Sequence, residues 1–369
     1  MLLKSRFWKI NPKPITLKLS YRMSSNYSII PNFTYPTKQK AIFFTENGGP
    51  EVLKYDFIEA PKIEDLKPNE FIVKIKYIGV NLIETYFRKG IYKTSLPHVL
   101  GREASGEVVV KGEEVKDIEL SDNLVFLKPE TFSQYVKLTT QQDKYINVGK
   151  SSSDDLLKKY TGSFLQGLTA LTFVNEAYSV KSGDYVLVYA AAGGVGLIFN
   201  QLLKLKGAKV IATASTEEKL ELAKKHGADY TVLVSDPDFV NKVKSFTPDN
   251  RGCDVIYDSL GKDTFENSLE IVRRKGSLIS YGSATGIVEP LLINRLSPKN
   301  VKIVRPQLYA YITEKEEFDH YSQELIKLIN EKKLSINIFK TYDLKEYPEA
   351  TKLMEDRKTT GKLLLKAPE

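Results

Sequence analysis

The chain is poor in side chains that bind metals or form crosslinks. Its 369 residues include one cysteine, Cys253, and three histidines, His98, His226 and His320. A single thiol excludes an intrachain disulfide and points to a reducing, intracellular compartment. The histidines lie far apart without metal-ligand spacing, and zinc ordinarily takes three or four Cys, His or carboxylate ligands. No metal site is expected. No apolar run reaches the roughly 18 residues of a membrane-spanning helix, so no membrane association is expected. Residues 1–40 also lack acids, although they hold eight Lys or Arg.

The formal net charge of +8 therefore sits in that segment, and residues 41–369 are formally neutral. This excludes a uniformly basic, nucleic-acid-seeking body. The basic, hydroxyl-containing stretch "MLLKSRFWKINPKPITLKLSYRMSSNYS" suits a mitochondrial presequence. It also suits a disordered basic arm, because Pro12 and Pro14 interrupt any long helix. Met23 offers a second start that would omit most of it. The expected location is the cytoplasm, the mitochondrial matrix, or both.

What is present changes character near residue 150. From Lys38 to Tyr145, β-branched and aromatic runs such as "EFIVKIKYIGVN" and "ASGEVVVKG" predict a barrel-like or sandwich β module. After two helical stretches in 151–177, short apolar strands alternate with amphipathic helices until about Val304, the pattern of a doubly wound parallel sheet. An amphipathic helix, a strand, another helix and the closing strand "KLLLKA" follow.

The segment "VLVYAAAGGVGLIFNQLLKLKGAKVIA" (186–212) runs from strand through small residues into helix and on to a second strand. Ala191, Gly193 and Gly196 fall at the three small positions of a dinucleotide-binding turn. There a tight turn, close backbone approach and free helix N–H groups receive a diphosphate. Gly194 and Val195 belong to the same block. The second strand ends in Thr213-Ala214-Ser215-Thr216 without the acid that usually holds an NAD ribose, and Lys219 follows. Ser215 and Lys219 thus fit a 2′-phosphate and predict NADPH. Equally, Ser215 and Glu218 fit a capping box with Lys219 solvated.

The stretch "GDYVLVYAAAGGVGLIFNQLLK" (183–204), with "GVNLIETYFRKGIY" (79–92), "LGREASGEV" (100–108) and "DRKTTGKLLL" (356–365), resembles the zinc-free quinone oxidoreductases of the medium-chain dehydrogenase/reductase superfamily, the zeta-crystallin type and its yeast forms in particular. The resemblance runs from about residue 38 to the C-terminus. It implies an α/β fold: a GroES-like β-rich catalytic domain (38–160 and 306–369) and a Rossmann doubly wound parallel-sheet domain (161–305), after a basic extension (1–37). Substrate would lie in the cleft between them. Zinc-containing relatives carry Cys where this chain has Asn81, and His of a Gly-His-Glu triplet where it has Arg102.

The resemblance also implies that Asn81 and Tyr86 line the nicotinamide and substrate, with Asn81 bonding the substrate oxygen or the carboxamide. Their plain alternatives are a turn residue and a core aromatic. Thr169, Ser259, Gly282 and Arg357 would contact the cofactor, whereas Thr169 can also bond its own helix and Arg357 a nearby acid. Gly261 stands beside Ser259 at the sheet's carboxyl edge. Arg88 and Arg102 would steer the cofactor, brace the cleft or form ion pairs. Val234 replaces a tyrosine, and Gln166 a lysine, found in some relatives. The expected activity is NADPH-dependent reduction of ortho- or para-quinones without metal. The alternatives are an alkenal or enone double-bond reductase and an additional RNA-binding role. A homodimer paired along the edge strand "GSLISYG" is expected.

Overall fold

The computed structural model describes residues 27–369, and among these the chain builds three sheets. The basic arm up to residue 26, with Met23 and the presequence reading, lies outside the described residues.

The larger β assembly has eight strands. Its long central pair, Glu70–Gly79 and Glu103–Gly112, is antiparallel and buried along most of both strands. Near-continuous Val and Ile fill a core shared with Phe44, Phe71, Phe126 and Phe132. A smaller sheet of Lys38–Phe44, Lys54–Glu59 and His98–Val99 caps one side. The closing strand Lys362–Lys366 inserts between Ile338–Asp343 and Glu70–Gly79, with Leu364 opposite Gly79. The C-terminal segment thus completes the N-terminal barrel.

The second sheet has six parallel strands in the spatial order Tyr230–Leu233, Lys209–Ala214, Tyr185–Val188, Cys253–Asp258, Val272–Ser280 and Lys302–Val304. The order reverses direction beside Tyr185–Val188, the crevice where doubly wound folds bind ligands. The fold is the α/β combination of a GroES-like β domain and a Rossmann sheet.

Three expectations change. The two helical stretches of 151–177 are one helix, Asp154–Thr172, continuing into a π-helical turn, Phe173–Ala177. Ser153 caps it by accepting from the Leu156 amide, and Asp154 and Asp155 favour its positive end. One of its glycines marks close packing: a Cβ on Gly167 would fall 2.6 Å from Leu325. Residues 27–37 are not a free extension. Tyr27–Ile29 pairs with Glu103–Gly112, and Phe33 and Tyr35 pack against Tyr135, covering apolar barrel surface at Ile72 and Val110. Finally, "GSLISYG" is not an edge. Its strand is flanked on both sides, and the edge is the three-residue strand Lys302–Val304.

Candidate functional site

The turn after Tyr185–Val188 shows why small residues are needed there. Ala190 adopts a left-handed conformation (φ +48°), one residue before the first small position of the pattern. Ala191 is buried, its amide donating to the Thr213 carbonyl at 3.0 Å and its carbonyl accepting from Asn200 Nδ2 at 3.0 Å. Gly193 is the N-cap of the helix Gly194–Leu205 and has no side chain to cap it. The first intrahelical bond runs from the Leu197 amide to the Gly193 carbonyl, leaving the amides of Gly194, Val195 and Gly196 directed out of the helix end.

The three glycines differ in their reasons. A Cβ on Gly193 would meet only the Ala190 carbonyl, at 3.2 Å, and otherwise enter the space before the helix end. On Gly196 it would lie 2.4 Å from that oxygen and 2.7 Å from Ala191 Cα, so helix and turn touch through backbone. On Gly194 it would meet the Gln166 side chain at 2.1 Å. Gln166 therefore rests on the turn, and its buried Oε1 has no hydrogen-bond partner among the described residues. Free amides, an open approach and a helix dipole suit a diphosphate, so these residues fit a dinucleotide.

At the end of Lys209–Ala214, Ser215 is exposed and does not cap the next helix. Thr216 does, through its hydroxyl and the Lys219 amide, because its extended backbone (φ −143°) aims the side chain at the helix start. Lys219 Nζ donates to the Arg357 carbonyl at 2.6 Å, and the Arg357 guanidinium reaches the Ala284 carbonyl at 3.4 Å. Burial and the Arg357 charge lower the Lys219 pKa. Two cations thus lie within electrostatic reach of each other, an arrangement that an anion would relieve. The Val234 amide donates to the Ala214 carbonyl and offers no side-chain polar group.

On the barrel side, Asn81 is buried and tied to charged residues the sequence reading left without roles. Its Nδ2 donates to Glu103 Oε1 (2.7 Å) and the Gly79 carbonyl (3.3 Å), while Lys362 Nζ donates to its Oδ1 (2.8 Å). Lys362 also bonds Glu103 Oε1 at 2.5 Å, and Glu103 Oε2 accepts from the Leu165 amide at 2.7 Å. Burial pulls the Lys362 pKa down against the opposing pull of Glu103. Nearby, Glu84 Oε2 accepts from the Gly101 amide, and Oε1 has no hydrogen bond although Arg102 Nε lies 3.8 Å away. Burial pushes the Glu84 pKa up to about 7.

Arg102 lies over the Phe87 ring (4.2 Å), which stacks on His98. Arg88 does not line the cleft: it is fully buried, bonding Glu355 at 2.6 Å and the Gly48 carbonyl at 3.2 Å. Thr169 donates to the Leu165 carbonyl within its own helix, leaving its oxygen able to accept.

Tyr86, Ile91 and Tyr92 from the barrel face Ser280, Ser283, Ile287, Val288 and Arg305 from the parallel-sheet side across a cavity of about 380 Å³. Burial and Tyr92 raise the Tyr86 pKa, opposed by the Ser283 amide and Arg305. Arg305, missed in the sequence, braces the cavity by donating to the carbonyls of Ser280 (3.0 Å) and Gly282 (2.9 Å). A Cβ on Gly282 would lie 2.3 Å from the Ser259 carbonyl, which is why those two loops can meet. The signal for Lys362 was its place on a strand buried on both faces, where a lysine needs a partner.

Among the described residues no group of three or more His, Cys, Asp or Glu could hold a metal ion, and no helix is long and apolar enough to cross a membrane.

Comparison with known families places this geometry. Residues 67–181 match the alcohol dehydrogenase GroES-like domain, and residues 194–331 the zinc-binding dehydrogenase family. A probable quinone oxidoreductase of Schizosaccharomyces pombe is 40% identical over 87% of this chain and 95% of its own length. A 2-haloacrylate reductase of a Burkholderia species is 34% identical over 87% of this chain and 96% of its own. The crystal structure of Escherichia coli quinone oxidoreductase complexed with NADPH superposes with a TM-score of 0.82, at 35% identity, covering 89% of this chain and 99% of that one.

Proposed function

From the chain's membership of the quinone oxidoreductases of the medium-chain dehydrogenase/reductase superfamily, we propose that it reduces ortho- and para-quinones without a metal in the cleft between its two domains. It is an NADPH-using oxidoreductase. The carrying observation is the aromatic-edged cavity shared by Tyr86, Tyr92 and Arg305, whose size and walls suit a planar ring.

When bound, the nicotinamide supplies a hydride. The chain contributes orientation and a dry cleft. The amides of Gly194, Val195 and Gly196 hold the diphosphate, with Ala191 and Gly193 shaping the turn. Ser215, Lys219 and Arg357 hold the 2′-phosphate, and Thr169, Ser259 and Gly282 line the path between the ends. Tyr86, a phenol that is protonated at neutral pH and whose burial pushes its pKa further up, donates to a quinone oxygen. The metal-free reading is supported by Arg102, a permanent cation, and by Asn81, whose amide is engaged with Lys362 and Glu103. Neither is a zinc ligand.

Steady-state NADPH oxidation with 1,2-naphthoquinone, 1,4-benzoquinone and an α,β-unsaturated aldehyde tests the assignment. Quinones are expected to be preferred by at least about 10-fold in kcat/KM, a difference of about 1.4 kcal/mol. Activity is expected to survive exhaustive chelation. A preference for the aldehyde, or activity tracking bound zinc, refutes the proposal. The first outcome would favour the double-bond reductase reading, in which Tyr86 protonates the α-carbon. That reading draws support from the similarity to a 2-haloacrylate reductase.

Lys219→Ala is expected to raise KM for NADPH by about 10- to 30-fold through loss of a charge-assisted contact, with kcat and the KM for NADH little changed. An unchanged NADPH KM would remove Lys219 from the 2′-phosphate site.

We further propose a homodimer joined through the edge strand Lys302–Val304, whose short unpaired rim is followed in space by nothing in the same sheet. Sedimentation as a monomer at micromolar concentration refutes it. Mitochondrial import and RNA binding are readings of the N-terminal arm. A reporter fused to residues 1–40 tests the first, and RNA binding by residues 27–369 at physiological salt, which keeps the segment that covers the barrel, tests whether the second needs the arm at all.

A further inference from the structure

We propose that Lys362 is a positioning residue for the reaction centre: its ammonium fixes Asn81 so that this side chain presents an acceptor, not a donor, to the amino group of the nicotinamide carboxamide. The inference rests on the placement of Asn81 beside the nicotinamide.

The side chains of Lys362 and Glu103 are only 2% and 0% exposed. A buried ion pair of this kind adds little net stability over an apolar pair of similar volume. What it does supply here is direction. An ammonium can only donate and a carboxylate can only accept. Lys362 against Oδ1 and Glu103 against Nδ2 therefore leave the Asn81 amide one orientation, since the flipped amide would set its NH2 against the ammonium and its oxygen against the carboxylate. In that orientation both N–H groups are used, by Glu103 and by the Gly79 carbonyl. One Oδ1 lone pair remains. Asn81 can accept from an N–H2 group and cannot donate to a quinone carbonyl, which narrows the two partners left open by the sequence to the carboxamide.

The backbone explains why the ammonium stands there. Gly361 pairs with Gly193, and its amide donates to the Ala192 carbonyl at 2.9 Å. The next residue, Lys362, turns its side chain to Asn81 and, with Gln166 and Gly194, lines a small cavity behind the diphosphate turn. One peptide unit therefore joins the diphosphate turn to the residue that fixes Asn81. Glu103 is tied in turn to the helix Asp154–Thr172 through Leu165. The carboxylate, ammonium and amide form one closed set.

The test uses the full chain with Lys362→Met, with the charge-neutral pair Lys362→Met/Glu103→Gln, and with Asn81→Leu. The pair is included because Lys362→Met alone leaves a buried carboxylate unpaired and need not fold. Melting temperature, NADPH affinity by calorimetry, the fluorescence of bound NADPH and steady-state kinetics are compared. The same measurements use the 3-acetylpyridine analogue of NADPH, which keeps the carbonyl and lacks the amino group. The neutral pair is expected to bind NADPH about 10-fold more weakly than the parent and the analogue within about 3-fold of the parent, because its phosphate contacts are intact and only the carboxamide contact is lost. Its bound-nicotinamide fluorescence enhancement is expected to fall and its kcat to drop about 30-fold. The parent is expected to bind the analogue about 10-fold more weakly than NADPH, and the neutral pair and Asn81→Leu to lose that preference.

A neutral pair with parental fluorescence, kcat and analogue preference overturns the proposal. So does one that is merely less stable, with parental kcat and fluorescence once folded. If Asn81→Leu is impaired while the neutral pair is not, the positioning role fails alone. If Asn81→Leu is also indistinguishable from the parent, the placement of Asn81 at the nicotinamide fails with it.

Discussion

Gly196→Val is expected to weaken NADPH binding by more than about 100-fold while leaving a folded chain. Residue 196 faces backbone: its Cβ would sit 2.4 Å from the Ala190 carbonyl oxygen, 2.7 Å from Ala191 Cα and 2.8 Å from Ala191 C. Backbone atoms of a buried turn cannot rotate aside as a side chain can. The helix Gly194–Leu205 must therefore back away, carrying the amides of Gly194, Val195 and Gly196 out of reach of the diphosphate. Overpacking of this kind costs about 1–3 kcal/mol of stability in addition. Gly194→Ala is the internal control, because its Cβ meets the end of Gln166, which can swing away. Its affinity loss is expected to stay below about 5-fold, under 1 kcal/mol. Fluorescence titration with NADPH, with circular dichroism as the folding check, decides the matter. Retention of tight binding by Gly196→Val would show that the diphosphate is held elsewhere, and equal damage at both positions would show that Gln166 does not swing aside.

Glu84→Gln is expected to stabilise the chain at pH 8 and to make no difference near pH 4. Glu84 is fully buried beside Gly101, Arg102, Glu103 and Lys362, with Tyr309 and Tyr347 also within its electrostatic reach. Burial is the largest influence on its pKa, and Glu103 adds to it. The Gly101 amide, Arg102 and Lys362 oppose them, and the outcome is about 7 against 4.5 for a free side chain. A carboxyl whose folded pKa is raised binds its proton more tightly when folded. Its contribution to stability is complete below pH 4.5 and is lost as pH rises to 7 and beyond. The loss amounts to about 3 kcal/mol. Glutamine keeps an oxygen for the Gly101 amide and never ionises, so it escapes that loss. A rise in melting temperature of about 5 °C at pH 8 is expected. A lower melting temperature at pH 8 would mean that the attraction of Arg102 for the carboxylate outweighs its burial.

What could be read from the sequence was what neighbours along the chain decide. The strand, small-residue turn and helix at 185–205 form one local unit, and strand–helix alternation revealed the parallel sheet without knowledge of any distant contact. Choices stayed open, or failed, where a residue's role depends on a remote partner. Arg88 reads equally as a cleft cation or as half of an ion pair, and Glu355, far along the chain, decides for the pair. Asn81 reads as a free hydrogen-bonding group until Lys362 and Glu103 close on it. Other errors were of one position or one strand. Thr216 rather than Ser215 caps its helix because the helix starts at Glu217, one residue later than the capping-box reading requires. "GSLISYG" looked like an edge because the true rim is three residues long. Residues 27–37 were assigned to the extension, yet their apolar side chains cover the barrel at Ile72 and Val110.

The insertion of Lys362–Lys366 between two strands of the barrel sets an order of events during synthesis. The strands of the parallel sheet all lie between residues 185 and 304, so that half can assemble while the ribosome is still working. The barrel cannot. Its central strand Glu70–Gly79, made early, must wait for the translation of residues almost 290 positions later before its rim beside Gly79 is covered. For most of its time on the ribosome the nascent chain therefore exposes a greasy, unpaired β rim, and this is the surface on which a chaperone would be needed.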